Sequence, residues 1–345
     1  MNAKLTKRMA LIVCLLPLGA VAVSGRSGED LYDYFRNFAG LSDAQISDVS
    51  NGKVFVKELP SPDPAKIFLF GAVLVNSSPE SYMKLVRDVD SLRELPYCLA
   101  VQQFSTPPRL SDLIGFTVDS EDIEDLKVCV PGNCKVQLPA EEIEEFKKAI
   151  DWSAKDVADQ VNHLAQKLAM EALIAYQRGG DKALGAYRHK KNPILISEEF
   201  RELVGQIKSL PVYLPEFGDY LLGYPKSELP NMENRFYWEK IRFGLKPTIR
   251  LVHAILYRNP SDRIPVVYAL KQLYSSHYFH TAIDLTTCVK AADQPGFFLI
   301  TIVASEQAGL TGIKGFAVRN IAVSRARTLL ESVLAGIKKA LANQT

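Results

Sequence analysis

The chain has 345 residues, 47% of them hydrophobic and 23% charged, with a formal net charge of +2. That length and balance suit one large or two ordinary folded domains, and exclude a disordered or fibrous chain. Extended low-complexity tracts and clear repeats are absent.

At the start, Lys4, Lys7 and Arg8 precede an apolar run, Met9–Val23, broken by Pro17. Small residues follow at Ala20, Ala22, Ser24 and Gly25. This is the pattern of a secretory signal peptide over residues 1–24, cut near Ala22 or Ser24. The run is short for a membrane helix of ~20 residues, so cleavage is favoured over an uncleaved anchor. Cys14 follows Val13 rather than a small residue, so it is not expected to be acylated. Losing residues 1–24 removes three basic and no acidic residues and takes the formal charge from +2 to −1. The mild basicity thus belongs to the targeting signal, and no nucleic-acid partner is expected.

Export, to the periplasm or beyond the cell, places the remaining cysteines in an oxidising space. In Cys129-Val-Pro-Gly-Asn-Cys134 a Pro-Gly turn brings the ends together, which predicts a disulfide between Cys129 and Cys134. A redox-active pair would favour Cys-x-x-Cys spacing. Zinc would need further ligands nearby, and none is visible. Cys98 and Cys288 either pair or remain buried thiols.

Glu29–Leu41 reads as a short helix with an aromatic stripe of Tyr32, Phe35 and Phe38. Asn51-Gly52 makes a turn before an alternating strand, Lys53–Leu59. Pro60, Pro62 and Pro64 break the chain. Lys66–Val75 is a near-continuous apolar run, as in a strand buried on both faces, with Gly71 marking a bulge or a close approach. Ser78-Pro79-Glu80 opens a helix: serine cap, proline in the first turn, then an acid. Leu99–Phe104 and, more weakly, Asp112–Asp119 read as strands.

Residues 139–225 are mainly helical. One long pattern covers Glu141–Tyr176, restarted by a capping box of Ser153 and Asp156 and stopped by Gly179-Gly180. A second helix starts after Ser197. Five β-rich runs follow: 235–243, 248–258, 264–274, 279–290 and 297–306. Short connections at 259–262 and 293–296 predict an antiparallel meander. Gly309, Gly312 and Gly315 match no phosphate-binding fingerprint and read as a flexible turn. An amphipathic helix over 317–341 closes the chain, with Ala322, Ala326, Leu330, Val333 and Ile337 on its stripe. Docking on its own sheet is favoured over a membrane-surface role, and transient membrane contact is left open.

Strand, helix opened by Ser-Ser-Pro-Glu, strands, meander and long terminal helix: that order resembles the START-like (SRPBCC) helix-grip superfamily. The most similar stretch is 78–90, Ser-Pro-Glu-Ser-Tyr-Met-Lys-Leu-Val-Arg-Asp-Val-Asp. The similarity is one of architecture, covers somewhat over half of the chain and brings no catalytic residues. It implies an α+β fold in which a curved antiparallel sheet grips the C-terminal helix. Residues 25–138 and 226–345 would form the grip, and 139–225 a helical insertion. It also implies a hydrophobic small molecule or lipid held between sheet and helix.

Inside the apolar sheet, Trp238, Arg250, His253, Tyr274, His277 and Asp284 are the candidate ligand-orienting groups. A buried charge must be paired or face a wet cavity, so Arg250 and Asp284 either pair with each other, reach an exposed edge, or orient a ligand. His277 and His280 are three apart and point to opposite faces of a strand, so no metal site is expected. No cofactor motif or nucleophile elbow is present. The readings that remain are an exported carrier or sensor of an apolar ligand, an envelope interaction protein with a filled core, and a START-like cyclase. A ligand-sized cavity between sheet and last helix separates the first two.

Overall fold

The structure, a computed structural model, describes residues 31–94, 97–243, 246–291, 294–310 and 312–343. The expected signal peptide and Cys14 lie outside these residues, as does Asp293 of the expected turn at 293–296. The fold is α+β. Eight strands form one antiparallel sheet: β1 (Phe55–Leu59), β2 (Lys66–Val75), β3 (Cys98–Gln103), β6 (Met232–Ile241), β7 (Thr248–Arg258), β8 (Val266–Ser275), β9 (Phe279–Lys290) and β10 (Phe297–Gln307). Their order is β1-β2-β10-β9-β8-β7-β6-β3, an open sheet with β1 and β3 at its edges. A two-stranded ribbon, β4 (Ala186–Tyr187) and β5 (Ile194–Leu195), stands apart.

The early strand β2 pairs with the late strand β10 over ten registered positions, from Val75 opposite Phe297 to Lys66 opposite Glu306. Its apolar run explains this place in the sheet: a strand flanked by β1 and β10 and covered on both faces has no use for alternation. The helix α1 (Asp43–Ser50) begins with a capping box of Ser42 and Gln45. The helix α2 (Pro79–Arg87) starts as its sequence dictates, with the Ser78 hydroxyl accepting the Ser81 N–H at 3.1 Å.

Helices cover both faces of the sheet. On one face lie α1 and a block of α3 (Ser120–Lys127), α4 (Ala140–Ala149), α5 (Val157–Gly179), α6 (Ile196–Gly205), α7 (Ser209–Tyr213) and α8 (Pro215–Gly223). On the other lie α2 and the terminal helix α9 (Gly312–Ala342). Gly71 of β2 is a close approach: a Cβ there would sit 2.7 Å from a methyl of Leu334 and 3.0 Å from one of Leu330.

Two local expectations change, and one open alternative is decided. Asp112–Asp119 is not a strand. The Asp112 carboxylate accepts the N–H groups of Ser105 and Arg109, and Gly115 adopts φ +85°, so the segment folds into a short turn and loop. The long helical pattern after Glu141 is two helices. Ser153 bonds Asp151 instead of forming a capping box, and α5 starts at Val157 with no side-chain cap from Asp156. Cys98 and Cys288 do not pair; both are free thiols.

Cys129 and Cys134 are disulfide-bonded, five positions apart, around a bridge between Val130 and Asn133. Closing so short a loop stabilises by about 2 kcal/mol in the chain-entropy picture. Reduction is expected to lower the urea-unfolding free energy by about that amount, and a Cys129→Ser/Cys134→Ser variant should show no such response to reductant.

Candidate functional site

Strand parity and register divide the expected site residues between the two faces of the sheet. Arg250 and Asp284 lie on the α9 face. Trp238, His253 and Tyr274 lie on the helical-block face, and His277 sits in the turn between β8 and β9. They do not form one site.

On the α9 face the terminal helix is anchored along the β1 edge. Arg327 donates to the Val56 carbonyl, Lys338 to the Gly52 carbonyl, and Arg319 pairs with Glu58 at 2.5 Å. Leu330 and Leu334 press on β2. With 3.6 residues per turn, Ala322, Leu329 and Val333 fall on the flank turned away from Arg327 and Lys338, toward the central strands. All three are half-buried. In those strands Val303, Asp284 and Leu270 are register neighbours, and all three are likewise half-buried, as is Tyr268. The middle of this face therefore keeps some access to solvent, while the sheet beneath α9 is closed.

The polar groups here are one short cluster. Arg250 donates through Nε to the Glu239 carboxylate at 2.7 Å, and the two are cross-strand partners. This pair answers Arg250's need for a counter-ion; Asp284 is only a second, more distant negative charge. None of the hydrogen bonds among the described residues reaches the Asp284 carboxyl. Burial pushes it up to about 6, against the pull of Arg250, with Glu239 adding to the rise. Tyr97, Tyr237 and Tyr268 surround the cluster and stay protonated, raised chiefly by burial.

The opposite face is occupied by structural polar groups. Trp238 is buried against Phe116 and donates its indole N–H to the Asp112 carbonyl at 2.8 Å. His253 is wholly buried and fully used. Nδ1 meets the Tyr176 hydroxyl at 2.9 Å and Nε2 meets Asn234 Oδ1 at 2.7 Å, which also accepts from Tyr220. Asn234 Oδ1 can only accept, so Nε2 carries the proton and Nδ1 accepts from Tyr176. This chain ties α5 and α8 to β6 and β7. Tyr274 stands in the wall of a hollow beneath α4 and α5. His277 donates to Asp122 Oδ2 at 2.8 Å, and Asp122 also holds Lys246 at 3.1 Å.

Burial, then the nearby Lys271 ammonium, holds His253 well below the usual histidine range. An unfolded histidine takes up a proton as pH falls through about 6.5; the folded His253 does not. The unfolded state then binds more protons, so this residue's contribution to stability is present above about 6.5 and is lost as pH drops below it. The ring resonances of His253 are expected to stay constant from pH 8 to pH 5 in an NMR titration, while a solvent-exposed histidine titrates.

A second polar cluster joins β2, β10 and α6. Lys66 contacts Glu202 at 3.0 Å and Glu306 at 3.5 Å. Glu199 lies near Glu306; burial and that neighbour raise Glu199, while His280, Glu199 and Lys66 overcome burial and lower Glu306. His280 thus turns to Glu306 and His277 to Asp122, so the two histidines do not converge. Among the described residues no group of three His, Cys, Asp or Glu is placed to hold a metal.

Three hollows stand out. One of about 40 Å³ lies under α7, lined by Tyr34, Leu210, Leu285 and Ile300. One of about 60 Å³ lies under α4 and α5. One of about 280 Å³ is an open recess beside edge strand β3. Lys246, Asp122 and Glu142 escaped the sequence reading because acids at a helix start and a loop lysine look like ordinary solvated charge. Among the described residues no helix is long and apolar enough to cross a membrane. Compared with models of protein families, with characterised proteins and with solved structures, the chain matches none.

Proposed function

We propose that the chain is an exported, START-like helix-grip protein that binds an apolar ligand with one hydrogen-bonding head, between α9 and the central strands. The observation that carries this reading is Asp284. It is a carboxyl that no hydrogen bond among the described residues reaches, set among the half-buried apolar groups Leu270 and Val303, with Tyr268 nearby and the Arg250–Glu239 pair within electrostatic reach. Few polar groups on an apolar wall are what orient a ligand. The order of elements and the pairing of β2 with β10 support the helix-grip assignment. The Cys129–Cys134 disulfide supports an oxidising location.

A second reading, an envelope interaction protein with a filled core, is favoured by one specific feature. Leu330 and Leu334 lie directly on Gly71, with no room between helix and strand at that point. Native mass spectrometry of protein taken from its own envelope, followed by lipid extraction, separates the two. A co-purifying apolar molecule whose retention falls in Asp284→Asn supports the carrier. A protein that carries none, and whose thermal unfolding no lipid shifts, is the filled-core protein.

A further inference from the structure

On the opposite face, between the helical block and the sheet, lies a hollow of about 60 Å³ whose walls include Phe116, Phe146, Leu168 and Ile249. Its polar lining is Glu142, Tyr274, Asp122 and Ser276. Two of these are already engaged: Asp122 by His277 and Lys246, and Ser276 by the Ile249 N–H at 3.0 Å. The other two are not. No hydrogen bond or ion pair among the described residues uses the Glu142 carboxyl or the Tyr274 hydroxyl, although both line the same hollow.

We propose that this hollow is a binding site for a small organic ammonium ion, with Glu142 as its counter-ion and the Tyr274 hydroxyl as a second polar contact. Three features select that chemistry. The first is charge. Asp122 pairs with Lys246 and is hydrogen-bonded by His277, and Lys167 contacts both Glu145 and Glu171, whereas among the described residues no cation pairs with Glu142. Burial, with Glu141, Glu145 and Glu171 nearby, pushes Glu142 up to about 7, the mark of a carboxyl that lacks a positive partner. The second is the aromatic wall. Phe116, Phe146 and Tyr274 offer rings to a cation, and an alkylammonium is attracted to such faces. The third is size. The hollow exceeds the ~10–15 Å³ that one water needs and falls short of the ~150 Å³ cavity that holds benzene. It suits an ammonium head with a short alkyl chain, and excludes a lipid. Because it lies across the sheet from Asp284, this site stands whether or not the proposed function does.

The test is titration of the full folded chain with n-propylammonium, n-propanol and propionate, followed by the methyl resonances of Leu126, Val136, Leu138, Leu168 and Ile249. The ammonium is expected to shift these methyls saturably, and more tightly than the alcohol. Glu142→Gln is expected to weaken it about tenfold, equivalent to about 1.4 kcal/mol. Tyr274→Phe is expected to weaken it less. Methyls elsewhere in the core report that the variants remain folded. Equal affinity for the three probes, shifts confined to other regions, an unchanged affinity in folded Glu142→Gln, or no response to any probe overturns the proposal.

Discussion

Replacing Asp181 with alanine is expected to cost about 3–5 kcal/mol of folding free energy, one of the largest losses from any single polar change in this chain. Its partner is Lys271 of β8, which is 1% exposed and lies 2.5 Å from the Asp181 carboxylate. Lys271 also donates to the Leu221 carbonyl at 3.1 Å and sits 3.9 Å above the Phe200 ring. One ammonium thereby pins the turn after α5, the end of α8 and the face of α6 to the centre of the sheet. Burial lowers its proton affinity, and Asp181 offsets that only in part. Removing Asp181 leaves an uncompensated ammonium where water does not reach, and that penalty is what the variant measures. Lys271→Met should cost much less, because Asp181 stands nearer solvent and the butyl stem is replaced by an apolar chain. The double variant should be more stable than Asp181→Ala alone. Urea unfolding of the three variants checks this, since a strictly additive cycle would show no coupling between the two residues.

The same pair shows what could and could not be read from the chain. Strand positions were legible, because continuous apolar runs bounded by turn residues fix where β7 to β10 begin and end. The docking of the last helix was legible from its apolar stripe, and so was the disulfide from its Pro-Gly turn. Which face a polar residue takes follows from parity within one strand, but parity says nothing across strands until register is known. Arg250 and His253 already had opposite parity on β7, so no single cavity could hold both. Tyr274 could not be placed at all, because a bulge between Leu251 and Val252 inserts one residue of β8 and turns the rest of the strand over. The Arg250 partner was misjudged for a related reason. Asp284 was the visible acid in the apolar sheet, while Glu239 became its cross-strand neighbour only once β6 and β7 were aligned. Asp181 and Glu142 are invisible from sequence because each looks like surface charge beside a helix end. Their importance lies in what the fold packs against them.

Leu334→Ala is the second large effect, expected at about 2–5 kcal/mol. Leu334 is fully buried where α9 crosses β2, and it meets a glycine rather than a side chain. Truncation leaves a void that neither the β-strand backbone nor the helix, held by Arg327 and Lys338 at the β1 edge, can readily collapse to fill. Gly71→Ala probes the contact from the other side. Its Cβ would meet the flexible ends of Leu330 and Leu334 rather than backbone, so a cost of about 1–3 kcal/mol is expected from overpacking. The two changes partly compensate: a methyl at residue 71 occupies space that Leu334→Ala vacates, and the double variant should recover part of the loss. That recovery also bears on the proposed binding of an apolar ligand. If α9 is pinned at Gly71, neither variant changes retention of an apolar molecule near Asp284, because the open part of this face lies on the helix flank carrying Leu329 and Val333. If retention follows Leu334→Ala instead, the ligand enters beneath the helix, and Gly71 is the point at which the grip opens.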